Sequence, residues 1–198
     1  MEVSKRPPPG HPTTVAEMFA RKRESGSAPV FQNKALLDSS MISSPTVGRE
    51  DQFRQLVDLT ADAGTGYLPA LVQVYGPPGT GKSTLVKQVV KEAEAQFPDL
   101  RTVIVNLKEC RSLFSAANQI LFQLTDTKEP TVAGLDGIFE KIWKTTQGSK
   151  FLILVLDEID AIFEDKRYVP SDFLYRLLQR RQMAQPPLVC IITITNLL

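Results

Sequence analysis

The chain has 198 residues, 42% of them hydrophobic, which suits one globular α/β domain with a real core. Its 23 basic and 22 acidic residues leave a formal charge of +1, which excludes a polybasic nucleic-acid binder; any grip on nucleic acid must come from a local patch or from partner chains. Two distant cysteines, Cys110 and Cys190, with a single histidine, His11, cannot build a typical zinc site and read as small buried hydrophobes of a reducing compartment.

No apolar stretch approaches the roughly 20 residues of a membrane helix. The opening "MEVSKRPPPGHP" lacks the apolar centre of a secretory signal. An intracellular chain with no membrane partner is expected, in the cytoplasm or nucleoid of a prokaryote or the nucleus of a eukaryote. Residues 1–29 are rich in Pro, Ser, Gly and charge and read as a mobile tail. Within them "TVAEMFARKR" can form a short helix with Val15, Met18 and Phe19 on one side. The alternative for that segment is a peptide that docks on a partner or on DNA through Arg21, Lys22 and Arg23.

From residue 50 the pattern alternates. "EDQFRQLVDLTADAG" sets Phe53, Leu56 and Val57 at helical spacing, with Gly64 and Gly66 marking the stop and turn. "ALVQVYG" is a short β-branched run that reads as a strand. "STLVKQVVKEAEAQF" repeats apolar residues at Leu85, Val86, Val89, Val90, Ala93 and Phe97, an amphipathic helix ended by Pro98. "TVIVNL" is a second strand. Two helices follow, one on Leu113, Phe114, Ala117, Ile120, Leu121 and Leu124, the other on Leu135, Ile138, Phe139, Ile142 and Trp143. "FLILVLDEID" is a continuous apolar run that ends in acids. "SDFLYRLLQRR" is a helix with Ser171 as its expected N-cap and Pro170 before it. "PLVCIITITN" is the last strand. Continuous apolar strands imply a parallel sheet covered on both faces, and the alternation of strand and helix gives an α/β fold.

"YGPPGTGKSTL" joins the first of these strands to the helix behind it. Gly76, Gly81, Lys82 and Ser83 fit G-x-x-x-x-G-K-[ST], the phosphate-binding loop. Glycines let the backbone fold round an anion with successive N–H groups pointing inward. Pro77, Pro78, Gly79 and Thr80 make the body of that loop. The helix beginning near Gly81 adds unpaired N–H groups and the positive end of its dipole. Lys82 supplies a point charge for the β- and γ-phosphates, and the Ser83 hydroxyl is a hard oxygen ligand for Mg²⁺. Thr84, one residue on, is placed to approach the α-phosphate. An ordinary glycine-rich turn is the bland reading; a loop that follows a strand and opens a helix argues for phosphate.

Asp157 and Glu158 end "FLILVLDE". A parallel strand delivers its C-terminal end to the same sheet edge as the phosphate loop. Asp157 is then a candidate Mg²⁺ ligand, directly or through water, and Glu158 a candidate to polarise the attacking water in line with the γ-phosphate. Asp160 reads as a cap or loop residue rather than a third ligand. Asn196, at the end of "CIITITN", either helps hold that water or is a plain strand-end turn residue.

These three stations, in this order, resemble an AAA+ ATPase: "GPPGTGKS" resembles Walker A, "LVLDEID" Walker B and "ITITN" the sensor-1 strand. "LLDSSMISSPTVGRE", leading into a helix, resembles the lead-in of the origin-recognition and archaeal-type replication-initiator family. "NLKEC" and "FLYRLLQRR" are similar to stretches of the same family. The resemblance covers about residues 30–198 and implies a P-loop NTPase domain of three α/β/α layers with a mostly parallel sheet. It implies ATP and Mg²⁺ as cofactors, Val47, Gly48 and Arg49 beside the adenine, and Lys82, Glu158 and Asn196 in catalysis. Arg49 is equally readable as a surface charge of the following helix. Expected partners are origin double-stranded DNA and other AAA+ subunits or replication proteins. Lys108 and Arg111 lie where the family has a DNA-contacting insertion; they read either as phosphate contacts or as solvated charges.

The sequence stops two residues after Asn196, whereas the family continues with a further strand, an arginine-finger region, a lid and a winged-helix domain. A truncated domain is therefore expected, incomplete at its C-terminus, with the strand at about 71–75 left as an exposed sheet edge. ATPase activity is expected of the complete protein and only weakly of this chain, since an arginine finger contributes roughly 10³-fold or more in related NTPases. Two other readings remain: a clamp-loader-like or transposition-regulating ATPase with a protein partner, and a subunit that binds ATP without hydrolysing it.

Overall fold

A computed structural model describes residues 49–196, apart from 62, 64–65, 165–168 and 183–185. The tail 1–29 with its "TVAEMFARKR" segment, the pair Val47–Gly48, and Gly64 lie outside the described residues.

Helix α1 (Glu50–Ala61) begins where the Arg49 carbonyl accepts the Phe53 N–H at 2.9 Å. Strand β1 (Leu71–Tyr75) leads through the glycine-rich loop into α2 (Lys82–Gln96), which stops at Phe97 because Phe97 is extended and Pro98 follows. Strand β2 (Leu100–Asn106) starts two residues before the "TVIVNL" run, and Leu107 passes into a 3₁₀ turn, Leu107–Glu109. Helix α3 (Leu113–Thr125) is capped by the Ser112 hydroxyl, which accepts the Ser115 N–H at 3.1 Å. Helix α4 (Gly134–Thr145), strand β3 (Phe151–Asp157), a 3₁₀ turn at Ile159–Glu164, helix α5 (Pro170–Gln182) and strand β4 (Leu188–Thr195) complete the order.

The expected cap of α5 is corrected. Pro170 is itself the first helical residue, and the Val169 carbonyl accepts the N–H groups of Asp172 at 3.1 Å and Phe173 at 3.3 Å. Proline suits that place because its missing N–H would have no helical partner there and its φ is already helical. Ser171 is therefore inside the helix, one residue past its start.

The four strands form one sheet in the order β1-β4-β3-β2, all parallel. Side chains alternate across it. Leu152, Leu154 and Leu156 of β3 enter one core with α3, α4 and α5, where Ile120, Ile138, Ile142, Phe173 and Leu177 are buried. Phe151, Ile153 and Val155 enter a second core with α1 and α2, where Leu56, Leu85, Val86, Val89 and Val90 are buried. The result is three layers, helix on sheet on helix. Because β3 is buried along its whole length, its sequence reads as an unbroken apolar run rather than an alternation. Each fully buried leucine in it contributes about 1.5–3 kcal/mol relative to exposure.

Strand β1 is an edge of this sheet, as expected. It leaves Leu71 54% and Tyr75 62% exposed, so among the described residues the strand that feeds the glycine-rich loop has a strand on one lateral side only. The parallel arrangement brings the C-terminal ends of all four strands to one edge: Tyr75 with the loop after it, Asn106, Asp157, and Thr195 with Asn196. Of the cysteines, Cys190 is buried in β4 and Cys110 is only partly buried. No helix among the described residues is long and apolar enough to cross a membrane.

Candidate functional site

The glycine-rich loop owes its shape to backbone conformation. Gly79 and Gly81 have φ of 75° and 80°, in the left-handed region that other residues adopt only at a cost. A Cβ on Gly79 would meet nothing within 4 Å, so that glycine is needed for its backbone and not for space. Gly81 stands at the N-terminal end of α2, and no side chain caps that end. Thr80 closes the loop on itself, donating its hydroxyl to the Pro77 carbonyl at 2.8 Å.

Lys82 is the buried cation of the site. Only 7% exposed, it donates from Nζ to the carbonyls of Gly76 at 2.7 Å and Pro77 at 2.9 Å, and to Asn196 Oδ1 at 2.9 Å. These three bonds match the three protons of the ammonium group. Asn196 in turn donates from Nδ2 to Glu158 Oε2 at 2.8 Å. The structure thus joins Lys82, Asn196 and Glu158 in one hydrogen-bonded chain across three separate elements.

Beside it, the Ser83 hydroxyl donates to Asp157 Oδ1 at 3.0 Å, and the same oxygen accepts the Glu158 N–H at 3.0 Å. Asp157 is buried, at the last position of β3. Glu158 follows with φ of 54°, a left-handed conformation that costs a non-glycine residue about 1 kcal/mol or more. That reversal turns the chain out of the strand, and the Glu158 carbonyl accepts the Ala161 N–H at 3.0 Å.

The donor set fits Mg²⁺. Two hard oxygens 3.0 Å apart, Ser83 Oγ and Asp157 Oδ1, match the spacing of about 3 Å between neighbouring ligands of an octahedral ion with bonds near 2.1 Å. Among the described residues no group of three or more His, Cys, Asp or Glu side chains is gathered as a metal cage. A site with one carboxylate and one hydroxyl suits an ion that keeps waters and phosphate oxygens as its other ligands. The loop with its left-handed glycines, the uncapped N-terminus of α2 and the Lys82 ammonium likewise fit a phosphate chain.

Other expected site residues stand as follows. Gly76, Pro77, Pro78, Gly79 and Thr80 form the loop, and Ser83 and Thr84 are in the first turn of α2. Val47 lies outside the described residues. Arg49 is half-buried and its carbonyl starts α1. Lys108 and Arg111 are exposed on the rim of a cavity of about 280 Å³ at the end of β2, with Cys110, Ser112 and Leu113 among its lining.

Two contributors escaped the sequence reading. Thr195 donates its hydroxyl to Asp160 at 2.9 Å and 2.8 Å to its two oxygens, directly before Asn196. Asn106, paired in register with Asp157, accepts the Lys108 N–H at 3.0 Å and so shapes the turn after β2. Neither has a signal in the sequence beyond being a polar residue at a strand end.

A sequence model of the AAA ATPase domain family matches residues 45–192. The chain is similar to ORC1-type DNA replication protein 2 of Thermoplasma acidophilum, 28% identical over 176 residues that cover 88% of this chain and 43% of that protein. It is similar to ORC1-type DNA replication protein 1 of Sulfolobus acidocaldarius, 28% identical over 84% of this chain and 42% of that one. Among solved structures it resembles the Aeropyrum pernix ORC1 protein in complex with DNA, with a TM-score of 0.69, 25% identity, and coverage of 84% of this chain and 44% of that one. The Aeropyrum pernix ORC2 protein in its ADP form has the same fold, with a TM-score of 0.70 at 20% identity, over 85% of this chain and 46% of that one. The chain spans less than half the length of the curated relatives named here.

Proposed function

The chain belongs to the AAA ATPase domain family, among the homologues of the ORC1-type replication initiators, and from that premise we propose that residues 30–198 bind ATP with Mg²⁺ to control assembly on origin DNA. The observation that carries this reading is the convergence of Lys82, Ser83, Asp157, Glu158 and Asn196, from the loop, α2, β3 and β4, within one hydrogen-bonded cluster.

In this reading the N–H groups of Gly79 to Thr84 wrap the phosphate chain, and Lys82 moves its ammonium from the Gly76 and Pro77 carbonyls onto phosphate oxygens. Ser83 Oγ and Asp157 Oδ1, 3.0 Å apart, would hold the ion. Mg²⁺, when bound, neutralises charge on the transferring phosphoryl group. Glu158 accepts a hydrogen bond from the attacking water and orients it, while Asn196 fixes the Glu158 carboxylate through its amide. Thr84 approaches the α-phosphate, and Val47 and Arg49 flank the adenine.

The partners proposed are origin double-stranded DNA and other AAA+ subunits or replication proteins, in an intracellular setting. Support comes from the relatives: one similar structure is an ORC1 protein in complex with DNA, and another is a Drosophila ORC bound to DNA. Exposed Lys108 and Arg111, on one rim, are the proposed phosphate contacts on this chain. Hydrolysis is proposed for the assembled protein, with a neighbouring subunit supplying positive charge to this site.

Calorimetric titration of the chain with ATP and Mg²⁺ tests the reading. Binding in the micromolar range is expected, weakened at least a hundredfold in Lys82→Ala. Equal affinity in the two proteins would remove the site assignment.

A further inference from the structure

Strand β4 pairs with β3 only as far as Leu156↔Thr193. Its last two residues, Ile194 and Thr195, are in register with β1, through Val74↔Ile194 and Tyr75↔Thr195. On that side they are held by an edge strand. On the other side the chain leaves β3 at Asp157, reverses at Glu158 and enters the turn Ile159–Glu164. The register of β4 with β3 thus ends before the residues that carry Asn196 and Glu158 to the site.

Side chains bridge that gap. Asp160 accepts the buried Thr195 hydroxyl at 2.9 Å and 2.8 Å to its two oxygens. Glu158 accepts the Asn196 amide at 2.8 Å. A carboxylate is the stronger kind of acceptor, and a hydroxyl shared between both its oxygens resists rotation of either group. The second bond is the one that matters to the site, yet it joins two flexible side chains. The first joins the same two segments one residue back along β4 and two residues on from Glu158.

We propose that Asp160 is a positioning residue for Asn196: by holding Thr195 it fixes the Asn196 amide between Glu158 and Lys82. Both Asp160 oxygens face the Thr195 hydroxyl, so the residue ties its own turn to β4. A site whose parts must hold to within about half an ångström needs such a tie where the ladder ends. A displacement of about 1 Å in a catalytic arrangement costs on the order of a hundredfold in rate. The kinetic consequence rests on the ATPase reading above; the structural consequence does not.

The test uses the full chain with Asp160→Ala, Thr195→Val and Thr195→Ser. Thr195→Val keeps the side-chain shape and removes only the hydroxyl; Thr195→Ser keeps the hydroxyl. The readout is the side-chain amide signal of Asn196 in ¹⁵N NMR and its proton exchange with solvent. Exchange is expected to rise tenfold or more in Asp160→Ala and Thr195→Val, to remain within twofold of the parent in Thr195→Ser, and to rise no further in the double variant Asp160→Ala/Thr195→Val. Where the parent, alone or assembled, turns over ATP, kcat falls by ten- to a hundredfold in the same variants while ATP affinity stays within twofold. An Asn196 signal unmoved in Thr195→Val, or moved equally in Thr195→Ser, overturns the proposal. Absence of turnover in the parent counts against the ATPase reading alone, because the amide signal decides the positioning role without it.

Discussion

The Ser83 hydroxyl donates to the Asp157 carboxylate across 3.0 Å, a contact between residues 74 positions apart in the chain. One lies in the first turn of the helix behind the glycine-rich loop, the other at the last position of β3. Their meeting is a consequence of parallel strand direction, since β1 and β3 both point their C-terminal ends at this edge. It puts a hydroxyl and a carboxylate at the separation that adjacent ligands of one magnesium ion require.

Asp157→Asn therefore separates metal from nucleotide. The amide keeps an oxygen for the Ser83 hydroxyl but gives up the formal charge proposed to hold the ion. ATP binding in the presence of Mg²⁺ is expected to fall by about tenfold to a hundredfold, the size of one charge-assisted interaction. ATP binding in EDTA is expected to change little. Titrations with and without Mg²⁺ measure the difference; an equal loss under both conditions would remove Asp157 from the metal.

Glu158→Gln keeps the size of the side chain and removes the basic carboxylate. Binding of ATP is expected to stay within about threefold of the parent. Turnover in the assembled protein is expected to drop by roughly 10²–10⁴-fold, the usual contribution of a general base. Single-turnover hydrolysis with radiolabelled ATP reads this directly. Unchanged turnover would mean that another group orients the water.

Gly79→Ala tests the loop as a backbone device. No atom lies within 4 Å of the added methyl group, yet φ is 75°. The cost is expected to be about 1–2 kcal/mol from the left-handed conformation alone, seen in urea denaturation as a lower midpoint with an unchanged slope. Relaxation of the loop to avoid that cost would weaken ATP binding instead. A variant as stable as the parent that binds ATP as tightly would contradict the assigned loop geometry.

Cys110 gives a pH-dependent prediction. Burial, with a smaller push from the neighbouring Glu109 carboxylate, raises its thiol above the ordinary value of 9.0. The unfolded thiol then ionises first as pH rises, so the unfolded state binds fewer protons and stability falls. The contribution is intact below about pH 9 and is lost progressively above it, until the folded thiol itself ionises. Iodoacetamide should label Cys110 more slowly in the native chain at pH 8 than in urea. Equal rates would show that the thiol is not shielded.

Much of this molecule is legible along the chain. The apolar run of β3 announced a strand buried on both faces, and the spacing of Leu85, Val86, Val89, Val90 and Ala93 announced a helix, because local burial writes itself as local pattern. The loop from Gly76 to Ser83 stood out because its glycines, lysine and serine sit at the spacing of one local motif. Helix ends were less legible: the first turn of α5 begins at Pro170, whose fixed φ and missing N–H suit a first helical position.

Sequence alone determined the class of fold, the glycine-rich loop and the candidates Lys82, Asp157, Glu158 and Asn196, each recognisable from neighbours a few positions away. Only the tertiary structure decided that Asn196 bridges Lys82 and Glu158, and that Thr195 and Asp160 tie their two segments where the β3–β4 ladder ends. Those facts depend on strand order and register, which bring residues together across 35 to 114 positions. Such long-range pairings leave no periodicity in the chain, because their physical cause is the side-by-side alignment of strands that are distant from one another along the backbone.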